Sequence, residues 1–165
     1  MQSITVGEAI ELYGEKLDLT LEAGRDGLGN ELVSGDVYRP GLALAGFVGL
    51  FTFDRAQILG NTEMLYILSL PEEKRGSILE TIYQFDIPAV ILTDGNVVLP
   101  ALQKLAEERN IPLFTTSFST TKFALCLKEL QLKKQTIFER LNKILLFQQA
   151  EQYLKIHQTI LQLNY

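Results

Sequence analysis

The sequence predicts an α/β domain, a small, mostly parallel sheet flanked by helices, followed by a C-terminal helical extension. Three observations carry that reading. Ile87-Pro-Ala-Val-Ile-Leu-Thr93 is apolar on both faces, as a strand is when helices cover both sides of its sheet. Ile111-Pro-Leu-Phe-Thr-Thr-Ser117 repeats this pattern 24 residues later with a helical segment between, and strand, helix, strand at such spacing requires a parallel pair joined by a crossover. From Lys133 onward there is neither glycine nor proline, and apolar residues recur mostly at intervals of three and four. The chain therefore reads as a domain over 1–132 and a helical extension over 133–165.

Taken in order, Thr5-Val-Gly-Glu8 fits a capping box and starts a short helix to about Tyr13, which ends near Gly14. Leu17, Leu19 and Leu21 alternate with Asp18, Thr20 and Glu22, the pattern of a strand with one wet face. Gly24 to Gly35, rich in glycine and charge, reads as loop, with Glu31-Leu-Val-Ser34 a brief strand at most. Arg39 precedes Pro40 and is therefore extended, and the chain turns at Pro40-Gly41 with the guanidinium at the mouth of the turn. From Leu42 to Phe53 only Thr52 is clearly polar, so this run is expected to be buried on most sides. Leu42 to Phe47 is too short to show a period; we assign it as a turn into a short helix.

Ala56-Gln-Ile-Leu59 reads as a strand, released at Gly60-Asn61 into helices over 62–69 and 71–84. Pro71 suits the first turn of the second helix, whose apolar stripe is Ile78, Leu79, Ile82 and Phe85. Asp94-Gly95 breaks the strand that follows, and Pro100 to Arg109 is a helix with Leu102, Leu105 and Ala106 turned inward. Ser119 or Thr120 caps a helix from Thr121 to about Leu132. Beyond it, Ile137, Leu141, Ile144, Leu145, Phe147, Ala150, Tyr153, Leu154, His157, Ile160 and Leu161 predict one long helix or a helix pair. So many apolar groups need a cover, either the body or another chain. A homodimer through these helices, with Ile137, Leu141, Ile144, Leu145, Tyr153, Leu154 and Leu161 as the interface, is the expected arrangement.

Several of these stretches together resemble a known family. Arg39-Pro-Gly-Leu-Ala-Leu-Ala-Gly46, Gln57-Ile-Leu-Gly60 followed by Glu63, Ile87-Pro88 leading into a strand, and Asn110-Ile-Pro112 followed by Ser119-Thr-Thr121 occur in the order and spacing of the N-terminal domain of HPr kinase/phosphorylase. The resemblance covers about residues 1–130. It implies a fold similar to the N-terminal, uridine-nucleotide-binding domain of Mur ligases. It also implies relation to a serine protein kinase whose nucleotide site, catalytic acid and docking surface belong to a C-terminal domain. Members of that family continue into a His-Gly-containing strand a few residues past the final helix. Here Thr136-Ile137 runs on into Phe138-Glu139 and a helical pattern, so the expectation is a stand-alone relative, or a chain whose second half has been replaced.

Composition narrows the function classes. A hydrophobic fraction of 47% and a charged fraction of 21% are those of a soluble globular protein. The net charge of −5 gives no electrostatic reason to expect nucleic acid. That charge divides unevenly, +3 over residues 133–165 and −8 over residues 1–132, which reads as solvated charge or as an attraction between tail and body. The single cysteine, Cys126, excludes an internal disulfide and fits a reducing cytoplasm. No basic-then-apolar leader opens the sequence, and its apolar runs fall short of the roughly 20 residues of a membrane helix. The expected location is cytoplasmic, with no membrane partner.

Chemistry is hard to place. A P-loop needs glycine followed by lysine and a hydroxyl residue, so that backbone amides and the lysine cradle phosphates, and none of the twelve glycines precedes a lysine. His157 is the sole histidine and reads as packed or hydrated, so no metal-ligand set is available. Cys126 reads as a buried small apolar side chain, and Glu72-Glu73 and Glu107-Glu108 as solvated helix faces. No catalytic residue, metal site or cofactor is called for.

A binding site is the better candidate. In open parallel sheets the crevice lies beyond the carboxyl ends of the strands. The sequence places Thr93, Thr116, Ser117, Ser119, Thr120 and Thr121 there, with Arg39 to complete a set suited to an anionic group. The competing reading is that these residues cap helices and close turns. Asp94 stands where the resemblance leads one to expect arginine, and an acid there repels phosphate. The function expected is a non-catalytic regulatory or protein-interaction module in carbon or nutrient signalling. The alternative is a small-molecule sensor for a phosphorylated sugar or nucleotide.

Overall fold

Five strands form the central sheet of the computed structural model, in the spatial order Thr20–Ala23 (β2), Leu113–Thr115 (β7), Val90–Leu92 (β6), Ala56–Leu59 (β5) and Val37–Tyr38 (β4). The structure describes the backbone of residues 4–163 and, Lys134 excepted, the side chains as far as Lys155. From β4 to β7 every pairing is parallel, with Ile58 opposite Ile91 and Ile91 opposite Phe114. Strand β2 closes the far edge antiparallel to β7, with Thr20 opposite Thr115.

Helices cover both faces, as the two-sided apolar strands require. On one face Leu59, Val90, Leu92 and Leu113 share a core with α3 (Asn61–Ser69), α4 (Glu72–Tyr83) and α5 (Pro100–Arg109) through Met64, Ile67, Leu79, Ile82, Leu102 and Ala106. On the other, Ile58, Ile91 and Phe114 are buried; Phe123, in the first turn of α6 (Thr120–Leu163), is buried as well. Both crossover strands are therefore enclosed, which is the arrangement their sequences predict.

The amino-terminal elements follow local chemistry. Thr5 caps α1 (Val6–Tyr13): its hydroxyl accepts from the Glu8 amide at 3.2 Å, and the Glu8 carboxylate accepts from the Thr5 amide at 2.7 Å. A two-stranded antiparallel ladder pairs β1 (Ile4–Thr5) with β3 (Glu31–Leu32). Between β2 and β3 lies a 3-10 turn, Arg25–Gly29, where the sequence reads as plain loop. Gly24 has a φ of 70°, and a Cβ on it would lie 2.2 Å from the Ile111 carbonyl oxygen. This loop is clamped against the chain entering β7, and glycine is what permits the approach. Glu107 is part of the clamp: its carboxylate accepts from the Gly24 amide at 3.0 Å, so it is not merely a solvated helix face.

Other expectations are corrected. Strand β2 begins at Thr20 because Asp18 adopts a φ of 53°, although Leu17 is buried as its place in the pattern implies. The run from Leu42 to Phe53 is not buried on most sides. The short helix α2 (Gly41–Leu44) buries Ala43 and Leu44, and Phe51 packs into the core. Leu42, Phe47 and Leu50 are 69%, 73% and 93% exposed, because a four-residue helix turns one side inward and Gly46, at a φ of 97°, carries the chain into an outer loop. Cys126 is half-buried rather than enclosed. The helices expected to meet near Leu132 are one helix, since nothing between Thr120 and Leu163 breaks it.

The chain divides after Lys128 into two units. In the second, the described side chains of residues 132–155 are all exposed.

Candidate functional site

The residues after β4, β5, β6 and β7 meet at the carboxyl end of the sheet. Beyond β4, the Arg39 guanidinium makes a bidentate pair with Glu63: Nε donates to Oε1 at 3.2 Å and Nη2 to Oε2 at 2.8 Å. Glu63 stands in the first turn of α3, and its Oε2 also accepts from the Gly60 amide at 3.1 Å, so it caps the helix it belongs to. The carboxylate is buried while the Arg39 side chain is 48% exposed. Glu63 first, and Asp94 at longer range, hold the guanidinium in its charged form above its ordinary pKa.

Beyond β6, Thr93, Asp94 and Thr120 form a triangle. The two hydroxyl oxygens lie 2.6 Å apart, and both hydroxyls are within reach of Asp94 Oδ2, at 2.9 Å from Thr93 and 3.2 Å from Thr120. Two hydroxyl protons are shared among three contacts, so at least one of them is divided between the other threonine and Asp94 Oδ2, which only accepts. A Cβ on Gly60 would lie 2.4 Å from Thr120 Oγ1, which ties this triangle to the Glu63 cap. Asp94 and Gly95 both take left-handed backbone conformations, and Asn96 Nδ2 donates to the Thr93 carbonyl at 2.7 Å.

Beyond β7, Thr116 is buried and donates to the Leu17 carbonyl at 2.8 Å. The Ser117 amide donates to Asp18 Oδ2 at 3.1 Å, and the Ser117 hydroxyl makes a short hydrogen bond to the same oxygen. These two bonds, hydroxyl first, hold the Asp18 carboxyl below the usual carboxylate range. A shallow pocket of about 430 Å³ opens here, lined by Asp18, Glu22, Asn96, Val97, Thr116 and Ser117 among others. At the start of α6 the Ser119 hydroxyl accepts from the Lys122 amide at 3.2 Å, and the Lys122 ammonium lies 3.4 Å from the centre of the Phe118 ring.

The structure thus gathers the sequence-nominated residues into two groups. Arg39 is linked through Glu63 and Gly60 to Thr93 and Thr120, while Thr116 and Ser117 gather at Leu17 and Asp18; Ser119 and Thr121 stand at the start of α6. Asp18, Glu63 and Asp94 accept hydrogen bonds from four of the nominated side chains, and an incoming anion would have to compete with them. Asp18 and the capping role of Glu63 escape sequence reading. The spacing from Gly60 to Glu63 carries the second signal, since an acid three residues past a helix start reaches back to the cap amide.

Among the nominated interface residues, Ile137, Leu141, Ile144, Leu145, Tyr153 and Leu154 are all exposed on α6, whereas the Leu161 and His157 side chains fall outside the described residues. Among the described residues no group of three or more His, Cys, Asp or Glu side chains is placed to hold a metal ion. Among them, too, no helix is long and apolar enough to cross a membrane.

Comparison with known proteins decides the family. The HPr serine kinase N terminus matches residues 4–130. The chain belongs to the HPr serine kinase N-terminus family. HPr kinase/phosphorylase of Chlorobium phaeovibrioides is 40% identical over 123 residues, 73% of this chain and 37% of that protein. The Leptospira biflexa HPr kinase/phosphorylase is 42% identical over 120 residues, again 73% of this chain and 37% of its own length. That of Chlorobium phaeobacteroides strain BS1 is 35% identical over 141 residues, 84% of this chain and 42% of the relative. The chain thus spans well under half the length of the curated relatives it matches, and the HPr kinase N-terminus is the part it shares with them. Among solved structures, the CBS and DRTGG domains of the regulatory region of Clostridium perfringens pyrophosphatase, complexed with the activator diadenosine tetraphosphate, align with a TM-score of 0.51 at 13% identity. That alignment covers 74% of this chain and 48% of the other, and the likeness is one of fold.

Proposed function

We propose that this chain is a non-catalytic regulatory module that acts through protein contacts in carbon or nutrient signalling. The observation that carries the reading is the match of residues 4–130 to the HPr serine kinase N terminus, a segment in which no glycine is followed by lysine as a P-loop requires. The two polar groups at the sheet's carboxyl end support it, because the guanidinium and hydroxyls of one are already bonded to Glu63 and Asp94, and the Ser117 hydroxyl of the other to Asp18. Its partners are expected among the proteins its relatives are named for: HPr, or a full-length HPr kinase/phosphorylase. Calorimetric titration of the chain with each is expected to give saturable binding to at least one. Absence of binding to both, or transfer of labelled phosphate from ATP to HPr by the pure chain, would overturn the proposal.

The sensor reading has one observation in its favour, a fold shared with a regulatory region whose solved structure holds a nucleotide activator. The acids around Thr116, Ser117 and Thr120 oppose it. A thermal-shift series with sugar phosphates and nucleotides separates the two readings, since a true ligand at 100 times its Kd stabilises by roughly 2.7 kcal/mol. No such shift is expected.

A further inference from the structure

A second pocket, of about 510 Å³, opens at the amino end of the sheet, away from the residues described above. Its walls are the segments that lead into β5, β6 and β7, together with the start of β3. These walls are fastened to one another. Asn30 Nδ2 donates to the Pro88 carbonyl at 3.3 Å and to the Asn110 carbonyl at 3.1 Å, which ties three of them together. Gln57 is fully buried, and its Nε2 donates to the Thr52 carbonyl at 3.0 Å and the Arg55 carbonyl at 2.6 Å, so the stretch that carries Phe53 and Asp54 is held at both ends. The Phe53 ring stacks on Phe85 at 5.5 Å, and Phe85 meets the core residue Phe51 edge-on at 5.1 Å, yet Phe53 stays 46% exposed. A pocket whose walls are fixed before a ligand arrives gives up little freedom on binding.

The lining narrows the chemistry of the ligand. Glu31, Asp54 and Asp86 are set against one cation, Arg109, and none of these four side chains makes a hydrogen bond or ion pair with the described residues. The body as a whole has the same sign, −8 over residues 1–132. Carboxylates beside an exposed ring attract a cation, and a planar guanidinium is the one that can stack on the ring while its N–H groups meet the carboxylates. Tyr83 also lines the pocket, is 1% exposed, and its hydroxyl has no hydrogen-bond partner. A buried hydroxyl in that state is uncommon in a folded protein. Arg109 and Tyr83 are donors that a bare organic cation would leave unused, whereas a peptide brings carbonyl oxygens that accept from them.

We infer that this pocket is a docking site for an arginine-bearing segment of a partner protein, the guanidinium stacking on Phe53 with Asp54 and Asp86 as its acceptors. The inference rests on the reading that the chain acts through protein contacts, and it gives those contacts a surface. A chain that bound HPr or the kinase with this pocket silent would overturn the inference and leave that reading standing.

Titration of the isotope-labelled full chain with the peptide acetyl-Gly-Gly-Arg-Gly-Gly-amide, followed by amide NMR, tests it. Saturable shifts are expected at Glu31, Asp54, Asp86 and Asn110, and the binding is expected to weaken as salt is raised. The same peptide with citrulline, a neutral isostere, in place of arginine is expected to bind at least about fivefold more weakly. A double variant, Asp54→Asn with Asp86→Asn, changes two exposed positions; it is expected to keep the spectrum of the fold and to lose at least about fivefold in affinity for the arginine peptide, as is Phe53→Ala. No shift at the pocket, equal binding of the citrulline peptide, or unchanged affinity in the double variant overturns the inference. So does agmatine, a guanidinium without a peptide, if it binds as tightly as the arginine peptide, because the ligand would then be a free organic cation.

Discussion

Removing Arg39 and removing Glu63 should have unequal costs, although the two side chains share one ion pair. Glu63 is 5% exposed and its carboxylate accepts from two guanidinium nitrogens and the Gly60 amide. Arg39→Met leaves that carboxylate enclosed with one donor in place of three. Hydrogen bonds to charged groups contribute about 1.5–3 kcal/mol each. Arg39 is 48% exposed, however, and water screens the pair from its side, so the loss is expected to be about 2–3 kcal/mol in all. Glu63→Gln retains an amide oxygen for the Gly60 donor and frees an arginine that can turn to solvent, at a cost of about 1 kcal/mol. Urea unfolding followed by circular dichroism measures both, and the double variant supplies a coupling expected at about 1–2 kcal/mol. If Glu63→Gln proves as costly as Arg39→Met, or if the coupling vanishes, the buried carboxylate is not what holds this corner together.

Other outcomes follow from the same geometry. Gly60→Ala puts a methyl group 2.4 Å from Thr120 Oγ1 and is expected to destabilise by about 1–3 kcal/mol. The backbone at Gly60, with a φ of −91°, suits alanine, so in a Thr120→Ala background the same change should become neutral or slightly stabilising in the same urea assay. Phe114→Ala, at a site 1% exposed between β2 and β6, should cost about 3–5 kcal/mol in thermal or urea unfolding. The Asp18 carboxyl, held low by Ser117, contributes stability above its unfolded pKa and loses it as pH falls through the lower folded value. Its NMR titration should therefore lie below that of an exposed aspartate, and Ser117→Ala should bring it back up.

How much of this was legible depended on how far apart the interacting residues lie in sequence. The strongest local signals held: Thr5 and Glu8 form their reciprocal cap, Pro100 opens α5, and Ile91 and Phe114 are enclosed as their two-sided runs require. Segments without a period misled. The stretch from Leu42 to Phe53 is apolar yet half outside, because apolar composition without periodicity cannot say which side turns inward. At the sheet's carboxyl end the nominated hydroxyls and Arg39 were found, but their acceptors were not. Asp18 meets Ser117 across 99 positions, and an aspartate in an alternating strand pattern looks like an ordinary wet-face residue. The Gly24 amide reaches Glu107 across 83 positions, and no local pattern links a glycine-rich loop to the far end of a helix.

The pairing of β2 with β7 has a consequence for how the protein is made. Thr20 leaves the ribosome long before Thr115 has been synthesised, and its ladder partner does not exist until then. The nascent chain can stack β4, β5 and β6 with their helices as they emerge, but β2 stays unmatched and β6 keeps an open side until Leu113–Thr115 arrives. Translation that stalls before that point would release a fragment with two unsatisfied ladders, the kind of species that aggregates.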